Sequence, residues 1–302
     1  MPKLLGIHHV TAICGDAQRN VDFYTGVLGL RLTKLTVNFD DPTAYHLYYS
    51  DAVGSPGSAV TFFAYPGAYD GRPGPPQAVS MCFEVPTGAL GFWQDRLSAA
   101  SVDVREIRPG VIAFSDPDGL GLEIEEGSAP IGVPWTGAGI DERHAIRRIS
   151  GVTLRVRHPE PTEGLLDGPF GATADAGRFQ VGESWVNVEA SEQPHGRVAL
   201  GSIHHVAFRT KNEAEQLEWR RLLEEALAGV SPVMDRTYFR SIYFREPGGV
   251  LFEIATDGPG FNADEPLERL GSSLTLPPFH EHLRAEIERS LPKLRLPEAN
   301  LV

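Results

Sequence analysis

The sequence predicts an α+β fold made of four tandem βαβββ modules, and three observations carry that expectation. First, an apolar run of strand character followed by a helix and three further strands recurs along the chain. Second, the first and last copies open on the same doublet, Ile7-His8-His9-Val10 and Ile203-His204-His205-Val206. Third, similar tight turns, Asp116-Pro117-Asp118-Gly119 and Glu246-Pro247-Gly248-Gly249, precede the closing strands of two copies. Internal repetition outranks local propensity as a guide to architecture. One such module leaves sheet edges open, so each is expected to pair with another, giving two cupped, barrel-like paired sheets.

The first module reads as a strand over residues 7–13 and a helix entered at Asp16, a candidate N-cap. Val21, Phe23, Tyr24, Val27 and Leu28 keep approximate helical period until Gly29, and strands follow over 30–37, 45–50 and 58–65. The second has a strand over 78–85, a helix over 88–100 with Leu90, Trp93 and Leu97 on one face, and strands over 102–107, 111–115 and 120–125. The third is the faintest: a strand over 149–156, a stub of helix at 164–166, and closing strands within 177–190. The fourth has a strand over 203–209, a Glu/Leu-rich helix over 212–228, and strands over 233–236, 241–244 and 250–255. These divide the chain into residues 1–135 (modules one and two), 140–256 (modules three and four) and a Pro- and Glu-rich extension, 257–302, with one amphipathic helix over 279–291.

Composition narrows the function classes. At 302 residues, 41% apolar and 22% charged, the chain has ordinary globular composition. A net charge of -13 without a basic run argues against nucleic-acid binding. Cys14 and Cys82 are the two cysteines, too few for a disulfide framework and wrongly spaced for a zinc knuckle, so a reduced, cytoplasmic setting is expected. No signal peptide or membrane-spanning run is read. Oligomeric state is open, with a homo-oligomer one possibility.

Four of the ten histidines lie in the two doublets, and the run Leu251-Phe252-Glu253-Ile254 adds a carboxylate on a closing strand. Two imidazoles and one carboxylate with open positions make a non-haem Fe(II) or Mn(II) centre. A lone strand histidine is ordinarily a packed core residue, but recurrence of the doublet with Glu253 in register favours ligation. Strand alternation sends neighbouring side chains to opposite faces. Val206 and Phe208 suit a helix-packed face, which puts His205 inside the cup and, by the same register, His9 with Thr11. The expected ligands are therefore His9, His205 and Glu253. His8 and His204 either orient ligands or substrate, or merely pack between sheet and helix. Thr11 is a candidate hydrogen-bonder to substrate or O2. For one metal to join these three ligands, module one must face module four, leaving two to pair with three. Modules two and three read as structural: Ser80, Cys82 and Glu84 stand on the second module's first strand, and Glu123 has no partner histidine. Thr61, Phe62 and Phe63 occupy the stretch where a fourth ligand would be sought, so three protein ligands leave sites for substrate and O2. His46, His144, His158, His195, His280 and His282 fall outside these motifs and are read as surface or structural.

The opening L-x-G-I-H-H-V-T-A-I of residues 4–13, the S-I-H-H-V-A-F of 202–208 and the F-R-E-P-G-G-V-L-F-E-I of 244–254 together resemble the vicinal oxygen chelate superfamily, which includes glyoxalase I, extradiol dioxygenases and fosfomycin-resistance proteins. Within it the chain is similar to four-module ring-cleaving dioxygenases acting on hydroquinones. The resemblance runs from about Leu4 to Pro297 and places the metal ligand immediately before the valine, in agreement with the strand argument. It implies an Fe(II)-dependent, extradiol-type enzyme, with Mn(II) as the alternative ion, that inserts both atoms of O2 into a hydroquinone- or catechol-like ring. It also implies that Arg236 and Tyr243 approach the substrate, the first stabilising negative charge and the second hydrogen-bonding or relaying a proton. The competing readings are a glyoxalase-like isomerase or thiol transferase on the same fold, and a metal-free binder of a small aromatic. The missing carboxylate at 61–63 argues against the first, and retention of all three ligand types against the second.

Overall fold

The computed structural model describes residues 2–128, 132–175 and 177–297. Module one comprises β1 (Ile7–Cys14), α1 (Ala17–Val21) continuing as π-helix over Asp22–Val27, β2 (Arg31–Asn38), β3 (Asp41–Ser50) and β4 (Ala59–Ala64). Module two comprises β5 (Gln77–Pro86), α2 (Leu90–Ala99), β6 (Arg105–Arg108), β7 (Val111–Ser115) and β8 (Gly121–Gly127). Module three has β9 (Arg148–Val156), α3 (Pro159–Asp167), β10 (Thr173–Asp175), β11 (Arg178–Val181) and β12 (Ser184–Ala190). Module four has β13 (Ser202–Thr210), α4 (Glu213–Ala226), β14 (Met234–Asp235), β15 (Phe239–Arg245) and β16 (Leu251–Pro259). Asp16 caps α1 by accepting from the Arg19 N–H at 2.8 Å, and Asn212 caps α4 by accepting from the Glu215 N–H at 3.0 Å.

Two elements differ from their sequence reading. The expected stub in module three is a nine-residue helix, because Pro159 and Pro161 lie in its first turn, where the missing N–H groups have no intrahelical partner anyway. The single helix expected at 279–291 is a 3₁₀ turn, Pro278–Leu283, leading into a short α5 (Arg284–Ser290).

The modules pair one with four and two with three. One eight-stranded sheet runs β14-β15-β16-β13-β1-β4-β3-β2 and the other β10-β11-β12-β9-β5-β8-β7-β6. Each sheet therefore takes one module from either half of the sequence, so the division at residues 1–135 and 140–256 cuts across both sheets. Within each, two modules meet edge to edge through one antiparallel ladder, β1 with β13 or β5 with β9. That pairing leaves neither first strand with a free edge.

Both junctions are bulged twice, at equivalent places. In β1 the step from Ile7 to His9 spans one residue of β13, so His8 is extra; in β13 the step from His205 to Ile203 leaves His204 extra. At the second junction the extra residues are Val79 and Ser150. An extra residue bends the strand and re-aims its side chains.

The apolar faces of the sheets turn outward onto the helices and toward each other. Val206, Phe208, Phe252 and Ile254 belong to this core together with Trp93 and Trp219. The floor of the second sheet's cup is covered by an indole. Trp185 of β12 lies over Gly151, where an added Cβ would sit 2.0 Å from the indole. The indole is held by its N–H donating to Glu125 at 2.6 Å and by the Arg178 guanidinium stacked 3.7 Å from the ring centroid. The first cup is open.

The C-terminal segment straps module one. Fully buried Lys34 pairs with Asp264 at 2.6 Å and with Glu265. Tyr45 donates to the Pro292 carbonyl at 2.8 Å, and His280 donates to the Phe39 carbonyl at 2.9 Å. Among the described residues no helix is long and apolar enough to cross a membrane.

Because Trp185 is pinned on both faces, Gly151→Ala is expected to destabilise the fold by about 1–3 kcal/mol, the usual scale of overpacking. A urea denaturation midpoint unchanged from the wild type would count against a rigid plug in the second cup.

Candidate metal centre

His9 on β1, His205 on β13 and Glu253 on β16 converge at the floor of the open cup. Their ligand atoms all lie within 4.8 Å of one another, and all three residues are buried. The ladder explains the convergence: Ala207, two residues beyond His205, faces Glu253 on β16, and His9 is drawn against Ala207 across the junction.

The donor set fits a cation. His205 Nε2 lies 2.9 Å and His9 Nε2 3.4 Å from Glu253 Oε2, and the two Nε2 atoms lie 3.4 Å apart. Donors bound side by side to a small divalent cation at about 2.1 Å stand about 3 Å from each other. Neither contact to the carboxylate has hydrogen-bond alignment, so Oε2 is a fully buried oxygen without a donor, while Oε1 accepts from the Ser241 hydroxyl. A buried carboxylate oxygen left this way is costly in a protein interior unless a positive charge faces it.

The doublets are set by the bulges, and here strand alternation fails. The outer histidines do not turn away to pack behind the sheet. His8 Nδ1 lies 2.9 Å from His9 Nδ1, and His204 Nδ1 lies 2.8 Å from His205 Nδ1. Both members of each pair face the cup because the extra residue of a bulge interrupts the two-residue period. A hydrogen carried on Nδ1 of His9 or His205 and donated to its neighbour leaves the opposite Nε2 with its lone pair toward Glu253. The neighbours suit the accepting role: burial and the adjacent imidazole push the His8 pKa well down and that of His204 down to about 3. Burial also lowers the His205 pKa. Burial alone would raise that of Glu253, but the neighbouring His9 and His205 outweigh it and hold the carboxyl well below its usual range.

Above this floor is a cavity of about 450 Å³, the size of a small-molecule site. Phe39, Phe63, Phe239, Leu251 and Ile13 supply apolar wall, and Thr11, His204, Arg236 and Tyr243 reach it as the sequence reading required. Tyr243 stands directly across the ladder from Glu253, and its ring meets that of His205 edge to face at 5.7 Å. The Arg236 guanidinium donates to the Tyr243 hydroxyl at 3.1 Å and reaches Asp40, on the β2–β3 turn of the facing module, at 3.3 Å. Burial raises the Tyr243 pKa, so the phenol keeps its proton. His8 lies behind the cavity wall, its ring against Phe239 at 4.9 Å.

One residue was misjudged from sequence. His46, read as surface or structural, is buried and lines the cavity. Its Nε2 lies 2.9 Å from Thr61 Oγ1, its Nδ1 2.9 Å from the Tyr48 hydroxyl, and Thr61 Oγ1 lies 2.7 Å from Thr11 Oγ1. The signal was available in β3, where His46 and Tyr48 are two residues apart and so share a face, while Leu47 and Tyr49 take the other. His144, His158, His195, His280 and His282 lie outside the cavity. Glu123 accepts from Ser80 at 2.8 Å and pairs with Arg108, and it belongs to no cluster of metal-ligating groups among the described residues.

Paired βαβββ modules that focus two histidines and a glutamate on an open cup define a class of fold and site, and known proteins give it a family. Residues 6–124 and 151–254 match the Glyoxalase/Bleomycin resistance protein/Dioxygenase superfamily model, and the chain belongs to that superfamily. More narrowly, it is a ring-cleaving dioxygenase. It is 42% identical to the Bacillus subtilis (strain 168) protein named as ring-cleaving dioxygenase MhqO, over 96% of each chain. It is 32% identical to the chlorohydroquinone/hydroquinone 1,2-dioxygenase of Sphingobium indicum, again over 96% of each. A solved Bacillus subtilis structure named as a dioxygenase superposes with a TM-score of 0.95 at 40% identity, covering 98% of this chain and 99% of that one. Maize glyoxalase I shares the fold, with a TM-score of 0.59 at 13% identity over 83% of this chain and 92% of its own.

Histidines kept neutral by burial make stability depend on pH with a definite sign. His8, His46, His204 and His205 have folded pKa values below the unfolded value near 6.5, so the unfolded chain binds more protons in that window. Stability of the EDTA-treated protein should therefore fall as pH drops below about 6.5, by up to about 1.4 kcal/mol per pH unit for each such histidine. For His204 the loss continues down to about 3. Urea midpoints between pH 7.5 and 5 test this, and a flat profile would contradict the neutral assignment.

Proposed function

We propose that the protein is an Fe(II)-dependent, extradiol-type dioxygenase that opens a hydroquinone- or catechol-like ring. The observation that carries this reading is the donor-less buried oxygen of Glu253 facing two imidazole nitrogens at the floor of an aromatic-lined cavity. His9, His205 and Glu253 hold the ion. Mn(II) is the alternative, since the same donors accept it. When bound, such an ion supplies electron exchange between an electron-rich ring and O2 and polarises both.

The protein's own groups do the rest. His8 and His204 fix the orientation of the two ligand rings through their Nδ1 contacts. Phe39, Phe63 and Phe239 supply aromatic wall against which one ring would pack. The Arg236 guanidinium offers positive charge to a substrate hydroxyl as it loses its proton. Tyr243 already accepts from Arg236 and keeps its own hydrogen for a substrate oxygen. Thr11 presents a hydroxyl beside His9. The similarity to a chlorohydroquinone/hydroquinone 1,2-dioxygenase supports a para- or ortho-dihydroxylated ring as the substrate class. The two cysteines are free and buried, which fits a reducing cytoplasm. On β4, Thr61 is committed to His46 and Thr11 rather than to the ligand cluster, which weighs against a glyoxalase-like, four-ligand site.

Anaerobic reconstitution with Fe(II) or Mn(II), followed by oxygen uptake on a hydroquinone and catechol panel, tests the activity. Stoichiometric O2 consumption with ring-opened product is expected, and its absence with every compound would sink the reading. Metal analysis of purified variants tests the ligands separately. Glu253→Ala should lose at least about 10-fold in retained metal, the scale of disrupting a built site, while Glu123→Ala keeps the wild-type content.

A further inference from the structure

Outside the ligand cluster, the polar groups of the cavity wall form one continuous chain: Tyr48 hydroxyl, His46 Nδ1, His46 Nε2, Thr61 Oγ1, Thr11 Oγ1, with links of 2.9, 2.9 and 2.7 Å. Tyr48, His46 and Thr11 line the cavity, so the chain leaves it at one point and returns at another. We propose that Tyr48, His46 and Thr61 form a directional proton relay along the cavity wall, which makes the Thr11 hydroxyl an obligatory donor to the reacting oxygen. The proposal rests on the dioxygenase reading above and names a proton path for it.

The relay assigns each link a direction. Among the described residues, His46 Nδ1 is the one hydrogen-bond partner of the Tyr48 hydroxyl. Burial raises the Tyr48 pKa, so the phenol carries a hydrogen, and the relay assigns that hydrogen to Nδ1, the one protein partner it has among those residues. A neutral imidazole that accepts at Nδ1 bears its hydrogen on Nε2, and burial keeps His46 neutral. Nε2–H therefore donates to Thr61 Oγ1. The Thr61 hydroxyl, already accepting, spends its hydrogen on Thr11 Oγ1. Thr11, accepting in turn, has one hydrogen left and no partner for it except what occupies the cavity.

The relay balances. A substrate hydroxyl or water at the Tyr48 end gives a proton to the Tyr48 oxygen while the Tyr48 hydrogen passes to His46 Nδ1. The Nε2 hydrogen passes to Thr61, the Thr61 hydrogen to Thr11, and the Thr11 hydrogen to an acceptor oxygen in the cavity. One proton enters, one leaves, His46 exchanges tautomers, and nothing is oxidised or reduced. The proton removed from a dihydroxylated ring is thus redelivered within the same cavity. His46 gives the chain this ability, because an imidazole takes a proton on one nitrogen while releasing another.

Two measurements test it. Nitrogen-15 spectra of ring-labelled histidine in EDTA-treated protein, with His46→Phe to assign the signals, should show His46 protonated on Nε2 and bare on Nδ1. The Nδ1–H tautomer would reverse the chain and overturn the proposal. In the Fe(II)-loaded enzyme with hydroquinone as the probe, Thr61→Val, nearly isosteric, should lower kcat about 10²-fold with KM within about threefold. Its solvent-isotope proton inventory should change from bowed to linear. Thr61→Ser, which keeps the hydroxyl, should recover most of the rate. Tyr48→Phe cuts the other end with loss of one oxygen and should lower kcat without a comparable rise in KM, so the test survives a Thr61 variant that misfolds. Rates within twofold of wild type in both Thr61→Val and Tyr48→Phe would overturn the relay. If wild-type enzyme consumes no O2 with hydroquinone, the functional reading fails, and the tautomer still decides whether the relay has the assigned direction.

Discussion

The structure depends on one antiparallel junction, the ladder between β1 and β13. It joins the first module to the last, and its two bulges fall on the doublets, one at His8 and one at His204. A regular ladder would alternate the histidines between cup and helix layer and leave each module with one inward imidazole. The bulges turn both members of each pair inward, so that every ligand ring meets a second ring at its far nitrogen. Two imidazoles then meet one carboxylate, each backed by a second imidazole, and among the described residues no Lys or Arg pairs with it. The bulge therefore serves orientation: it supplies a partner for Nδ1 and so determines where the lone pair on Nε2 points.

That arrangement has an electrostatic consequence. An ionised carboxylate with no exposed surface is among the more expensive groups to place in a protein interior. Glu253 has Ser241 on one oxygen and no aligned donor on the other. Its ionised form rests on its contacts to His9 and His205, and a cation held among the three would add positive charge where that oxygen has no aligned donor. Arg236 is the nearest positive group lining the cavity, but it is turned to Tyr243 and Asp40 at the mouth. With an ion at the floor, as proposed, positive charge would be layered beneath that guanidinium, an arrangement suited to a substrate hydroxyl that becomes anionic between them.

Much of this was legible in the sequence. The module order, the pairing of one with four, and the convergence of His9, His205 and Glu253 follow from repetition and two-residue periodicity, and the Asp16 cap from its residue type. The third module's helix was underread because two prolines look like breakers unless they fall in a first turn. The bulges were not legible, since an extra residue in a ladder is a relation between two strands distant in sequence, and each strand alone looks regular. His46 was missed for a related reason. It belongs to no repeated motif, and its place in the cavity comes from β3 lying beside β4, where Tyr48 pairs with Thr61 and His46 with Phe63.

The second sheet is an internal control for what makes a cup a site. Its junction carries the same two bulges, at Val79 and Ser150, so the backbone frame is the same. Ser80 stands where His9 stands in the first cup, and Gly151 where His205 does; Asn187, facing Thr153, takes the place of Glu253, facing Ala207. Without the imidazoles the space is taken by Trp185, which seals it against Gly151 and spends its N–H on Glu125. Glu123 stands where Thr61 does and is neutralised by Ser80 and Arg108. Frame and bulges thus occur in both cups, and only side chains differ. One cup retains a donor-less buried oxygen at its floor, while the other has paired its charges and covered its floor with Trp185. Function in this fold therefore resides in what the side chains leave unsatisfied, and the bulged frame determines only where that unsatisfied group points.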